Sequence, residues 1–173
     1  MSSFIALVRA INVGGTGKLP MADLKRICEA AHFTSVRTYI ASGNVVFESR
    51  LGEAKIKLAL EAGLASYAGK RARVGVLVRS ATELAEVLAK NPFAGAPGNR
   101  TVAIFLDSHP APGALEAASG AKDEQMRLGV REIYVHYPTG MGESKLKIPA
   151  ANDGTARNMN TIAKLAEMAR SIA

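Results

Sequence analysis

The sequence predicts an α+β fold in which antiparallel sheets carry helices on one face. Residues 4–79 show strand and helix patterns in the order β-α-β-β-α-β, which is the order of a ferredoxin-like unit. The second half repeats this order imperfectly, and no low-complexity linker separates the halves. We therefore expect two ferredoxin-like units, residues 1–80 and residues 81–173.

The first half opens with a strand and a helix. Residues 4–8 form a continuous apolar run, as expected of a covered strand, and Arg9 stands at its end. Pro20 follows at a position where a helix start tolerates proline. Helical spacing then predicts one buried side made of Met21, Leu24, Ile27, Cys28 and Ala31.

A hairpin, a second helix and a strand complete the first unit. Two β-branched and aromatic segments, residues 36–40 and 45–48, flank the turn sequence Ala-Ser-Gly-Asn at residues 41–44. An apolar helix face through Ile56, Leu60 and Leu64 follows. Residues 73–79 then alternate as a strand with one buried face.

The second half is predicted from shorter segments. Along the chain these are a helix at about 81–90, a strand at 101–106, a short helix near 113–119, strands at 125–128 and 131–137, and a helix at 155–172. No strand is predicted after the last helix. Its inward face is expected to carry Met159, Ile162, Ala163, Ala166 and Ala169.

Charge and composition limit the class of protein. The net charge is +7, but residues 81–140 carry −2, which leaves +9 in the rest of the chain. This asymmetry favours a polyanionic partner, although ordinary solubility explains it equally well. The N-terminus lacks signal-peptide features and no apolar run approaches the roughly 20 residues that cross a bilayer, so we expect a cytoplasmic protein without membrane contact. The single Cys28 is expected in the core.

A glycine-rich, basic segment after the first strand is the first candidate site. It runs from Arg9 through Asn12, Gly14 and Gly15 to Lys18, just before a helix. Such a turn presents backbone N–H groups to an anion, although its glycines also suit a plain turn. The spacing fits neither a Walker A loop nor a dinucleotide fingerprint. We expect no cofactor.

The start of the last helix is the second candidate site. Thr155 is a plausible N-cap, and helical spacing would then place Arg157 and Asn160 on one polar face, with Asn158 beside them. A guanidinium and two amides at a helix start suit phosphate or carboxylate recognition. Capping and hydrogen bonding to a neighbouring loop explain the cluster equally well.

These motifs carry a family resemblance. The residues Arg-Ala-Ile-Asn-Val-Gly-Gly at 9–15, Leu-Pro-Met at 19–21, Ser-Gly-Asn-Val at 42–45 and Thr-Ala-Arg-Asn at 155–158 resemble a bacterial family catalogued as domain of unknown function 1697. Met159 departs from the tryptophan that is frequent there. The resemblance implies two ferredoxin-like units and no established activity.

Other chemistries have weaker signals. His32, His109 and His136 lie far apart without metal-ligand spacing, so we expect no metal site. Glu132, Tyr134 and His136 share a strand face; they are able to exchange protons, but alternation favours a solvated face.

The sequence therefore predicts a basic groove that binds a phosphate-bearing ligand, nucleotide or nucleic acid, with all three motifs converging in space. Two alternatives stay open. One is an enzyme on a small anionic substrate, with Ser42 or His136 in proton transfer, and the other is a structural interaction module. The predicted ligand-binding residues are Arg9, Asn12, Gly14, Gly15, Lys18, Ser42, Asn44, Arg157, Asn158 and Asn160.

Overall fold

The computed structural model describes residues 1–9, 19–69 and 75–173. Contacts divide the chain into unit 1, Met1–Leu84 with Lys164–Ala173, and unit 2, Ala85–Ala163. The expected domains were residues 1–80 and 81–173, so the two divisions differ within the third and fourth helices.

Unit 1 contains the βαββαβ order that the sequence predicts. Its elements are β1 (Ser2–Val8), α1 (Met21–Ala30), β2 (Thr34–Tyr39), β3 (Asn44–Ser49), α2 (Glu53–Ala68) and β4 (Val76–Ser80). The strands form one antiparallel sheet in the order β2-β3-β1-β4, so the first and third strands are central. This is the ferredoxin-like arrangement.

Helices α1 and α2 cover one face of this sheet. Leu24 and Cys28 of α1, with Ile56, Leu60 and Leu64 of α2, pack into one buried cluster with alternate residues of the strands. The rings of Phe33 and Phe47 stack in this core, with centroids 4.5 Å apart. The helical spacing read from the sequence therefore predicted the buried side of both helices.

Strand β4 differs from its prediction. The expected single buried face is wrong, because Val76, Leu77, Val78 and Arg79 are all buried, and Arg79 is only 2% exposed. Hydrophobic alternation suggested a solvated face because Arg79 is charged. Its Nη1 donates to the Val78 carbonyl at 2.9 Å.

Unit 2 has the same strand order with different connections. Its strands are β5 (Thr101–Phe105), β6 (Gln125–Leu128), β7 (Glu132–His136) and β8 (Thr155–Asn158), in the antiparallel order β6-β7-β5-β8. The chain also contains α3 (Ala81–Ala89) and α4 (Met159–Ile172), whose halves belong to different units. The helix predicted near residues 113–119 is wrong, because residues 112–117 form turns.

Helix α4 starts later than predicted. The predicted start at Thr155 is wrong because residues 155–158 pair with β5 as the edge strand β8. The helix buries Met159, Ile162 and Ala169 as expected, but Leu165 and Met168 face inward whereas Ala163 is exposed. The α+β class is confirmed, with two four-stranded antiparallel sheets and four α-helices in the described residues.

Candidate functional site

Arg9 lies at one end of the unit 1 sheet, beside the hairpin turn. The Val8 N–H donates to the Gly43 carbonyl at 2.8 Å, and the Arg9 N–H donates to the Gly75 carbonyl at 2.9 Å. The hydroxyl-bearing turn that contains Ser42 therefore sits next to the strand that ends in Arg9. Within unit 1, the structure brings Arg9, Ser42 and Asn44 to the same end of the sheet.

The side chain of Arg9 lies over Gly75. A β-carbon added at Gly75 would stand 2.7 Å from Arg9 Cδ and 3.5 Å from its Nη1. The missing side chain at residue 75 thus provides the space that the guanidinium stem occupies. Arg9 is only partly exposed, so its charge is positioned by packing against the neighbouring strand.

Asn44 holds the turn together. Its carboxamide is fully buried, and Nδ2 donates to the Tyr39 carbonyl at 3.0 Å and to the Ser42 Oγ at 2.8 Å. Both Nδ2 hydrogens are therefore used inside the hairpin. Asn44 thereby positions Ser42, which is exposed at the tip of the hairpin.

Ile40, in the same turn, was not singled out from the sequence. It is 51% exposed and has φ of 47°, in the left-handed region that β-branched residues avoid. No sequence signal predicts this conformation, because isoleucine favours extended backbone. The hairpin tip thus combines an exposed apolar side chain with the Ser42 hydroxyl.

The remaining predicted residues of the first motif cannot be placed. Asn12, Gly14, Gly15 and Lys18 lie outside the described residues. The segment that contains them follows directly after Arg9.

Arg157 lies in β8 and not on a helix. It pairs with Ala103 of β5, and the residue is 9% exposed. Its Nη1 donates to the Thr155 Oγ1 at 2.8 Å and to the Ala156 carbonyl at 2.9 Å. Burial lowers the pKa of the guanidinium to about 10, which leaves it charged at neutral pH.

Asn158 is the N-cap of α4, a role that the sequence assigned to Thr155. Its Oδ1 accepts a hydrogen bond from the Thr161 N–H at 2.9 Å, which satisfies one of the unpaired donors of the first turn. Asn160 is exposed, and its carboxamide lies so close to Gly98 that a β-carbon there would overlap it. Arg157, Asn158 and Asn160 are thus neighbours in unit 2, and their convergence with Arg9 and Ser42 stays a prediction.

The β7 face that carries Glu132, Tyr134 and His136 is not solvated as predicted. Glu132 and Tyr134 are buried, and the Tyr134 hydroxyl donates to the Val87 carbonyl at 2.8 Å. Burial, and then the charge of Glu132, raises the pKa of the Tyr134 phenol. The Glu132 carboxylate accepts the Val130 N–H at 2.8 Å. These contacts support structural roles for both side chains.

His136 is half-buried against Phe93, with ring centroids 5.7 Å apart. Its Nδ1 lies 3.3 Å from the Thr101 Oγ1 and 3.2 Å from the Arg100 carbonyl oxygen. Nδ1 is therefore engaged within unit 2.

Among the described residues, no group of three or more His, Cys, Asp or Glu side chains is placed to hold a metal ion. No helix among them has the length and apolar character needed to span a membrane.

Comparison with known proteins places the chain in a family. The sequence model of a family described as "Protein of unknown function (DUF1697)" matches residues 1–134. The chain belongs to the DUF1697 family. The match covers all of unit 1 before α4 and most of the unit 2 sheet, so the resemblance in the Arg9 and hairpin motifs is confirmed.

A solved structure supports the same fold. The DUF1697 protein is similar to conserved bacterial protein SP0830 from Streptococcus pneumoniae, at 25% sequence identity and a TM-score of 0.77. The match covers 97% of this chain and 98% of that chain, so the likeness extends over both units. Among curated proteins, none matches this sequence.

Proposed function

We propose that the protein binds a phosphate-bearing ligand, a nucleotide or a nucleic acid strand, at the end of the unit 1 sheet that carries Arg9. The observation that carries the proposal is the position of Arg9, seated over Gly75 and next to the Ser42 turn. A guanidinium donates two parallel hydrogen bonds to a phosphate, and a serine hydroxyl adds a third donor.

The charge distribution also supports an anionic ligand. The residues outside 81–140 carry a net charge of +9, which attracts polyanions at long range. Gly14, Gly15 and Lys18 follow Arg9 in sequence, and we propose that their backbone N–H groups and ammonium complete the phosphate contacts.

We propose that the second cluster of predicted residues also contacts the ligand; it contains Arg157, Asn158 and Asn160. Asn160 is the exposed residue of this cluster, so its side chain is the one most suited to contact a ligand. Arg157 is buried and bonded to Thr155 and Ala156, so its variants separate binding from folding.

The test compares four variants in the binding of three probes: inorganic phosphate, ATP and a fluorescent single-stranded oligonucleotide. Arg9→Ala should weaken ATP and oligonucleotide binding by about tenfold, since one bidentate contact is lost. Arg9→Lys should keep only part of the wild-type affinity for ATP and the oligonucleotide. Gly75→Ala keeps the charge but forces the Arg9 side chain to move, and should also weaken binding.

Arg50→Ala is the matched control. Arg50 is an exposed arginine after β3, at the opposite end of the same sheet, where Ser2 pairs with Ser49. Its removal should lower affinity at most through the general charge. Oligonucleotide affinity should fall with salt, and Arg9→Ala should flatten the slope by about one. Equal effects of Arg9→Ala and Arg50→Ala, or no binding at low salt, would refute the proposal.

A further inference from the structure

Two long loops cover one face of the unit 2 sheet; neither contains an α-helix, and the second includes a short 3₁₀ helix, Pro149–Ala151. They connect β5 to β6 through residues 106–124 and β7 to β8 through residues 137–154. Apolar side chains of both loops, including Leu115 and Leu146, pack on Ile104 and Val135 of the sheet. Loops beyond about 12–15 residues in compact units are uncommon and frequently form binding sites.

The two loops are joined at three places. Ser119 and Lys147 exchange backbone hydrogen bonds of 2.9 and 2.8 Å. The Ser144 hydroxyl donates to the Glu124 carboxylate at 2.5 Å, and the Thr139 hydroxyl donates to the Asp123 carboxylate at 3.1 Å. The Ser144 hydrogen bond is the largest cause of the lowered pKa of Glu124, about 2, and the carboxylate that accepts it is ionised at neutral pH.

Gly120 allows the close approach of the loops. It has φ of 74°, and a β-carbon there would collide with the Lys145 carbonyl oxygen. The loops are therefore held in one relative position by contacts within unit 2.

Between the joined loops lies a cavity of about 440 Å³. This volume falls within the range of about 300–1,000 Å³ of small-molecule sites. Its apolar wall includes Ile104, Leu146 and Ile148, and Tyr137 and Asn152 add polar groups. Among the described residues that line it, Lys147 carries the only formal charge.

We infer that this cavity binds a compact amphipathic organic anion, with its apolar body on the Ile104 and Ile148 wall and its acidic group at Lys147. Burial of a ring on the aliphatic side chains supplies affinity, at about 25 cal/mol per Å² of apolar surface. The ammonium supplies selectivity for an anion, because a neutral analogue gains the apolar contact alone. The site is independent of the proposed phosphate site in unit 1.

The experiment uses the whole protein and two fluorescent probes of similar size. One is 1-anilinonaphthalene-8-sulfonate, an amphipathic anion, and the other is its uncharged analogue N-phenyl-1-naphthylamine. Lys147→Glu should weaken binding of the sulfonate by roughly tenfold, because attraction becomes repulsion, and should leave the neutral probe within about twofold. The matched control is Lys145→Glu, an exposed lysine of the same loop that does not line the cavity.

A second variant and a second measurement locate the probe. Ala151 lines the cavity, so Ala151→Phe fills it and should weaken both probes, with circular dichroism checking that the variant folds. In amide NMR spectra, the sulfonate should shift the signals of Ile104 and Ile148 before those of unit 1. Arg50→Ala, at an exposed arginine of unit 1 outside both proposed sites, should leave sulfonate binding unchanged. Equal sulfonate affinity in the wild type, Lys147→Glu and Lys145→Glu proteins would overturn the inference, as would no binding to the wild type.

Discussion

Replacing Arg157 by alanine tests whether this arginine stabilises unit 2 or contacts a ligand. The side chain is nine-tenths buried, and its Nη1 donates hydrogen bonds to the Thr155 hydroxyl and the Ala156 carbonyl. Alanine removes both donors and the buried aliphatic stem. We therefore expect Arg157→Ala to lower the free energy of unfolding by about 2–4 kcal/mol.

Two further variants divide this loss into its causes. Arg157→Met keeps the apolar stem and removes the charge, whose burial is unfavourable, as the lowered pKa of Arg157 indicates. It should therefore be less destabilised than alanine. Arg157→Lys keeps the charge but has one nitrogen on a flexible stem, and should lie between alanine and the wild type.

Thermal and denaturant unfolding without ligand measure these effects. For a chain of this length, about 2–4 °C of Tm corresponds to 1 kcal/mol, so Arg157→Ala should lose roughly 4–16 °C. Arg170→Ala is the control, since Arg170 is an exposed arginine in the last turn of α4, and it should lose less than about 0.5 kcal/mol. A Tm of Arg157→Ala within about 1 °C of the wild type, together with lost ATP binding, would refute the structural role and identify a ligand contact.

Three further predictions concern stability and reactivity. Asn158→Ala should cost about 1 kcal/mol in denaturant unfolding because the α4 cap to Thr161 is lost, whereas Asn158→Asp should retain most of it. Ile40→Asn should raise the free energy of unfolding by about 1 kcal/mol, since asparagine tolerates positive φ; a clear destabilisation would contradict the strain. Burial raises the pKa of Cys28 from 9.0 to about 12, so iodoacetamide at pH 8 should label the native thiol far more slowly than the denatured one. The unfolded thiol ionises first, so its contribution to stability should fall from about pH 9 to pH 12, and Cys28→Ala should flatten that decline.

The first unit could be predicted from the sequence because the apolar residues of its elements follow the spacing typical of a strand or a helix. The apolar run of β1 and the spacing of Leu24 and Cys28 in α1 are strong local signals. Arg79 in β4 was the exception, because the local pattern does not show that both faces of that strand are buried. The capping box of Ser80 and Glu83 at the start of α3, with bonds of 2.9 and 3.1 Å, was not predicted, although its sequence has the S-x-x-E pattern.

The second unit was harder to predict because its strands are short and polar. β8 consists of Thr-Ala-Arg-Asn, which has no apolar alternation, and it is a strand because it pairs with β5. Thr155 and Asn158 both precede α4, and both are suited to capping. Asn158 is the N-cap because the pairing of β8 with β5 places Thr155 in a strand. The apolar segment near residues 113–119 is too short to form a helix without strong packing.

The same difficulty limited the candidate site. The proximity of Arg9 to the hairpin turn follows from the βαββαβ order, in which the first and third strands are neighbours. Burial of Arg157 and the cavity beside Lys147 depend on which distant segments meet, and no local pattern encodes that. The strained conformation of Ile40 is a tertiary property of the same kind.

The two sheets have the same strand order but different covers. In unit 1, helices α1 and α2 cover one face of the sheet, and burial there raises the pKa of the Cys28 thiol to about 12. The phosphate site that we propose lies at the end of this sheet, beside Arg9. In unit 2, loops take the place of the crossover helices. Loops cannot fill a sheet face as regularly as helix ridges do, and a cavity lined by Ile104 and Lys147 remains. The two sites that we propose follow this difference, one for phosphate at the end of the unit 1 sheet and one for an amphipathic anion under the loops of unit 2.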